Sequence, residues 1–176
     1  MDIPSNLTLP FFSYGLFQPG QIGFNDLRPY VQSYDKQWSI AGCLLGRDGL
    51  PVWVEGTERV PGTVIHFRSG DEKKAYEIII KIEPDKLYRW DTAEAQNGTE
   101  RQKVNVLAGL KVKRGTHPLE TIPWDGREEP LFSAALEVIA ETLVTNIKFD
   151  GNLKPLFRLQ MAYLLLWSAI ERDLPP

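Results

Sequence analysis

The chain has 176 residues, 43% of them apolar, and a formal net charge of −3. That is enough chain for one or two domains with a real core, and too apolar for wholesale disorder. Acidic and basic residues are evenly spread, 14 and 12 in residues 1–109 and 9 and 8 in 110–176, so no electrostatic nucleic-acid footprint is visible. In chain order, Leu9 to Tyr14 is an apolar run ending at Gly15 and reads as a buried strand. Gly15, Pro19, Gly20 and Gly23 punctuate a loop, and Asn25-Asp26 predicts the cap of a short helix reaching about Tyr34. Gln37 to Leu45 predicts a strand, Arg47-Asp48-Gly49 a hairpin turn, and Pro51 to Val54 its partner. Pro61-Gly62 predicts a break before a further strand, Thr63 to Phe67.

Residues 71–83 carry both a charged first turn and an isoleucine run; a start at Ser69-Gly70-Asp71 and a stop at Pro84 decide for a helix. Leu87 to Ala95 and Gln102 to Leu107 flank Asn97-Gly98 and predict a second hairpin, with Val104 and Val106 keeping a period of two. Periodicity fails from 110 to 127, which reads as a linker. Beyond it, Phe132, Leu136, Ile139 and Leu143 recur at helical spacing, and Pro155 opens a second helix to about Arg172. The expected architecture is α+β: a small mixed or antiparallel barrel-like sheet with a flanking helix, residues 1–109, the linker 110–127, then a helical hairpin, residues 128–176. Leu164, Leu165 and Trp167 leave that tail apolar on more than one side, which predicts cover by the β part, by a second copy of the chain or by a partner protein.

Cys43 is the one cysteine, so no intrachain disulfide forms, and the chain reads as cytoplasmic; its acidic, proline-bearing start does not read as a signal peptide. The longest apolar run, Met161 to Ile170, is too short for a membrane span of about 20 residues. His66 and His117 stand far apart with no cysteine near either, which argues against a metal site.

Two segments bear chemistry. In Tyr14-Gly15-Leu16-Phe17 a strand runs into a glycine turn, and such a turn leaves backbone N–H groups able to hold a carboxylate or oxyanion, unless it is a plain strand end. Glu83 closes the isoleucine-rich run just before Pro84. There it is either a desolvated general acid and base, or a solvated residue paired with Lys86 or Arg89.

Together these segments resemble the γ-glutamylcyclotransferase-like family, including its AIG2-like branch. Tyr14-Gly15-Leu16-Phe17 is similar to the Tyr-Gly-x-Leu loop that ends the family's first strand, and Gly62-Thr63-Val64-Ile65 to a later strand start. Ile82-Glu83-Pro84 followed by Tyr88-Arg89 matches the family's glutamate and Tyr-Arg in order and spacing. The resemblance covers residues 9–107. It implies an enzyme of acyl-transfer or lyase type that releases 5-oxoproline from a small γ-glutamyl amine or peptide. Glu83 would be the catalytic acid and base, and Tyr14, Gly15, Leu16, Phe17 and Tyr88 would bind substrate. Neither metal nor organic cofactor is implied. Two positions depart from the pattern: Pro84 stands where the family has glycine, and Leu16 where it has a small hydroxyl residue. The rival reading is a catalytically silent ligand-sensing or interaction module whose helical tail docks a partner. Glu83 in a cavity facing the Tyr14–Phe17 turn would favour the enzyme; Glu83 in water or paired with Arg89, or a filled cavity, would favour the module.

Overall fold

The computed structural model describes residues 1–47, 50–83, 86–111, 116–119, 122 and 124. The chain divides into two compact units, Met1–Glu128 and Glu129–Pro176. The predicted tail helices, with Leu164, Leu165 and Trp167, lie outside the described residues, as do Asp48, Gly49 and Pro84.

Five strands close a mixed barrel. Strand β1 (Phe11–Ser13) pairs antiparallel with β3 (Leu50–Phe67) and parallel with β5 (Glu100–Gly109). From β3 the ring continues antiparallel to β2 (Val31–Arg47), then to β4 (Tyr88–Asn97), and back to β5. A two-residue strand, β6 (His117–Pro118), adds to the end of β2 inside the stretch read as linker. Helix α1 (Ile22–Leu27) follows β1, and helix α2 (Glu72–Ile82) joins β3 to β4.

The expected barrel, the flanking helix at 71–83 and both hairpins are present. In the first hairpin Arg47 pairs with Leu50 across a two-residue connection, and in the second Asn97 pairs with Glu100. Gly98 has φ +57°, the left-handed conformation such a turn requires. The period of two on β5 holds: Val104, Val106 and Ala108 enter the core with Phe12, Tyr14, Ile40, Leu44, Trp53 and Val64.

Two local expectations are corrected. The helix near Asn25-Asp26 starts earlier, with Gln21 as its N-cap, and ends at Leu27; a 3₁₀ turn, Arg28–Tyr30, leads directly into β2. Pro29 has no N–H to continue an α-helix, and residues 31–34 are taken by pairing with β3, where Val31 faces Phe67 and Tyr34 faces Ile65. Pro61-Gly62 does not break the chain; β3 runs through it. Pro61 lies beyond the Ser13–Thr63 end of the β1 pairing, so its missing N–H leaves no bond to β1 unmade. Gly62 is there for space: a Cβ at this position would lie 2.5 Å from the Phe12 ring and 2.6 Å from the Ser13 carbonyl oxygen.

α2 buries one face, Ala75, Tyr76 and Ile79, and exposes Lys73 and Lys74. Tyr76 docks it on the outside of the barrel. Its ring meets Phe67 and Trp90 edge to face, both at 5.2 Å, and Phe11 at 6.5 Å. Its hydroxyl donates to the Leu9 carbonyl at 2.8 Å and accepts from Asn105 Nδ2 at 2.7 Å. Asn105 also donates to the Asn6 carbonyl at 2.8 Å, so one buried polar group ties the N-terminal segment, β5 and α2 together.

The contact that Gly62 permits is testable. Gly62→Ala should lower stability by about 1–3 kcal/mol through overpacking against Phe12 and the β1 backbone. Urea unfolding measures it, and an unchanged midpoint would show that β1 yields freely.

Candidate functional site

Two chain ends meet at one mouth of the barrel. α2 stops at Ile82 because Glu83 leaves the helical region, at φ −94° and ψ 122°, which is the extended backbone expected before a proline. Its N–H still caps the Ile79 carbonyl at 2.9 Å, so the side chain is held against the barrel. β1 ends beside it at Ser13, and Tyr14 to Phe17 turn away from the strand.

These pieces line one cavity. Ser13, Tyr14, Gly15, Leu16, Phe17, Glu83 and Tyr88 all face it, together with Pro51 and Leu107. It contains about 330 Å³ of empty space including its mouth, but its interior is narrow, about 20 Å³. That is room for about one ordered water. Every site residue singled out in the sequence therefore reaches the same cavity.

Glu83 is 7% exposed, and burial pushes its carboxyl up to about 7, with Arg47 acting in the opposite direction. It is not paired with Arg89, which turns outward to Glu55 at 3.3 Å and Asp91 at 3.1 Å. Lys86 is exposed.

Arg47 is the residue the sequence reading missed. It is 3% exposed, and its guanidinium donates to the Leu110 and Leu87 carbonyls, both at 2.8 Å. The guanidinium carbon also stands 5.1 Å from the centre of the Tyr88 ring. Arg47 thus ties β2 to the start of β4 and brings a positive charge near Glu83 without a direct ion pair. Its setting in Arg47-Asp48-Gly49 reads locally as turn chemistry, and nothing in the sequence links it to residues 87–110.

Tyr14 is held by its hydroxyl, which donates to the Leu107 carbonyl at 2.6 Å. Burial first, then the neighbouring Tyr88, raises its pKa well above the ordinary phenol value, so it stays neutral. After it the turn is tight: the Gln18 N–H reaches the Gly15 carbonyl at 2.9 Å, and the Gly23 N–H reaches the Leu16 carbonyl at 3.0 Å. These bonds use carbonyls. Among the described residues no acceptor engages the N–H groups of Gly15, Leu16 and Phe17. Gly15 does not need a positive φ; a Cβ there would run into the Pro51 ring of β3. Leu16 and Phe17 are buried, Phe17 edge to face on Phe11 at 5.9 Å.

Cys43 is half-buried in β2, and His66 is exposed on β3, away from the residues that line the cavity. Among the described residues no three His, Cys, Asp or Glu side chains come together as metal ligands. Among them, too, no helix is long and apolar enough to cross a membrane.

No protein-family profile matches the chain, and no curated protein is close enough in sequence to count as a relative. Solved structures are similar to it. One is an uncharacterized protein from Pyrococcus horikoshii, 21% identical over 61% of this chain and 83% of that one, with a TM-score of 0.45. The structural neighbours also include an AIG2-like protein. It comes from Mus musculus and is 11% identical over 61% of this chain and 81% of its own, with a TM-score of 0.46.

Two expectations follow from the site. Gly15→Val should cost about 1–3 kcal/mol, because the new side chain must displace Pro51 from a paired strand. A thermal melt equal to the parent would show that the turn has slack. The Glu83 carboxyl makes stability depend on pH. In the unfolded chain it ionises near 4.5, in the folded protein only near about 7. Between these values the folded protein binds more protons, so stability falls as pH rises through the window and levels off above it. Glu83→Gln removes the ionisation. The variant should be more stable than the parent by up to about 3 kcal/mol near pH 8, and the gap should close toward pH 4.5. Parallel stability curves across that range would place the carboxyl in water.

Proposed function

We propose that the protein is a γ-glutamylcyclotransferase-like enzyme that releases 5-oxoproline from a small γ-glutamyl amine or peptide. One observation carries the reading: a buried carboxyl poised near neutrality shares a cavity with a turn whose N–H groups have no acceptor among the described residues. The order of the Tyr14-Gly15 turn and the Glu83-to-Tyr88 spacing supports it.

The reaction suits such a site. The α-amine of the γ-glutamyl group attacks its own side-chain carbonyl and closes a five-membered lactam. Attack is intramolecular, so the protein mainly has to hold the chain folded back on itself. Negative charge develops on the carbonyl oxygen, and the Gly15–Phe17 N–H groups offer donors to that oxygen or to the substrate carboxylate. Glu83 takes the proton the attacking amine loses and returns it to the departing amine. A carboxyl near 7 can do both at neutral pH, because neither form is scarce. Arg47 limits how far burial raises that value. Tyr14, committed to the Leu107 carbonyl, fixes the turn rather than moving protons.

The narrow interior, about 20 Å³, is close to a filled cavity and so favours one rival, a catalytically silent ligand-sensing or interaction module of the same fold. Direct assay separates the two. Purified protein should release 5-oxoproline from one or more members of a panel of γ-glutamyl dipeptides and amines, detected by mass spectrometry. The rate should fall as pH drops below about 7 and Glu83 becomes protonated. Glu83→Gln should lower the rate by about 10²–10⁴-fold, the usual contribution of a general acid and base. Full activity in Glu83→Gln would remove Glu83 from the chemistry, and an inactive parent that still binds 5-oxoproline would favour the silent module.

A further inference from the structure

The cavity holds a polar group that the proposed mechanism does not use. Ser13 is 2% exposed, and its Oγ is buried with no hydrogen-bond partner among the described residues. It lines the same cavity as Glu83 and the Gly15–Phe17 turn. Its backbone is fixed by pairing with Thr63 at the last rung of β1, so it cannot swing away to find a partner. A buried hydroxyl left without one costs stability, and alanine would fill this strand position without that cost. No described residue supplies the partner that the hydroxyl lacks, and a ligand seated in the cavity would.

We infer that Ser13 is a substrate contact, its hydroxyl donating to the α-carboxylate of a γ-glutamyl group seated at the Gly15–Phe17 turn. The inference rests on the γ-glutamyl reading above. Charge and position favour the carboxylate as acceptor. An anion is the ligand group that the turn's N–H donors, without acceptors among the described residues, also suit, and Ser13 precedes that turn by two residues.

Three proteins are compared: the parent, Ser13→Ala, and Ser13→Cys, which keeps the volume with a weaker donor. Binding of 5-oxoproline, which retains the α-carboxylate, is measured by calorimetry beside 2-pyrrolidinone, the same ring without it. Turnover is measured on the best γ-glutamyl substrate. Ser13→Ala should melt at or above the parent temperature. It should bind 5-oxoproline about 10–100-fold more weakly, raise KM by a similar factor, and bind 2-pyrrolidinone unchanged. Ser13→Cys should fall between. A parent that turns over substrate while Ser13→Ala matches it in KM overturns this inference alone. A destabilised Ser13→Ala overturns it too, because the hydroxyl would then serve the fold. A parent that neither turns over a γ-glutamyl compound nor binds 5-oxoproline overturns the γ-glutamyl reading and the Ser13 assignment with it.

Discussion

Closure of the barrel depends on three residues. Phe11, Phe12 and Ser13 pair antiparallel with β3 on one side and, through Phe11 and Phe12, parallel with β5 on the other. Without them β3 and β5 would meet only at Trp53 and Ala108, and two long edges would stand open. A strand this short gains little from its own ladder. Packing holds it: Phe12 enters the barrel core, and Phe11 enters the aromatic cluster beneath α2. The same closure fixes the site. Because β1 is locked on both sides, the turn after it leaves the barrel at a set place, where the end of α2 delivers Glu83.

The electrostatics of that meeting are balanced rather than neutralised. A carboxyl buried alone would be driven far up, and one in a direct ion pair with arginine would be driven down. Arg47 does neither, because both of its hydrogen bonds go to carbonyls, those of Leu87 and Leu110. Its charge still reaches Glu83 and offsets part of the cost of burial, which leaves the carboxyl near neutrality. The guanidinium also braces Tyr88 from one side, so one residue tunes the acid and shapes the cavity wall.

Much of this was legible in the sequence where the signal is local. Alternation marked β5, the hairpin dipeptides marked both turns, and Asp71 with Pro84 bounded α2. Glu83 and the Tyr14–Phe17 turn, each ordinary by itself, stood out only together, through the family resemblance. What was hidden is set by distant pairing. Residues 31–36 carry no strand pattern of their own and become strand because β3 needs a partner along its length. Pro61-Gly62 reads as a break when only its neighbours are considered; the Phe12 ring, about fifty residues away, explains the glycine. Arg47 looked like turn chemistry because its acceptors lie some forty and sixty residues further on. Ser13 was lost inside an apolar run, where one small polar residue changes no periodicity.

Ser13 and Glu83 share a property: each is a polar group buried at a cost to folding. Elsewhere in the interior, Asn105 and Tyr76 satisfy each other and two carbonyls, and Tyr14 donates to Leu107, while the buried Trp90 and Trp124 indole N–H groups have no partner among the described residues. At the cavity the fold tolerates a hydroxyl with no partner among the described residues and a carboxyl held well above its ordinary value. Each is a cost to folding that a neighbour of the same shape, alanine or glutamine, would avoid. A barrel selected for stability alone would have no reason to place two such groups at one narrow mouth. The aromatic cluster around Tyr76 holds α2, whose C-terminal end carries Glu83, and one of its rings, Phe11, also lines the cavity. The Ser13 hydroxyl and the raised Glu83 carboxyl belong to residues that line one narrow cavity, beside the turn from Gly15 to Phe17.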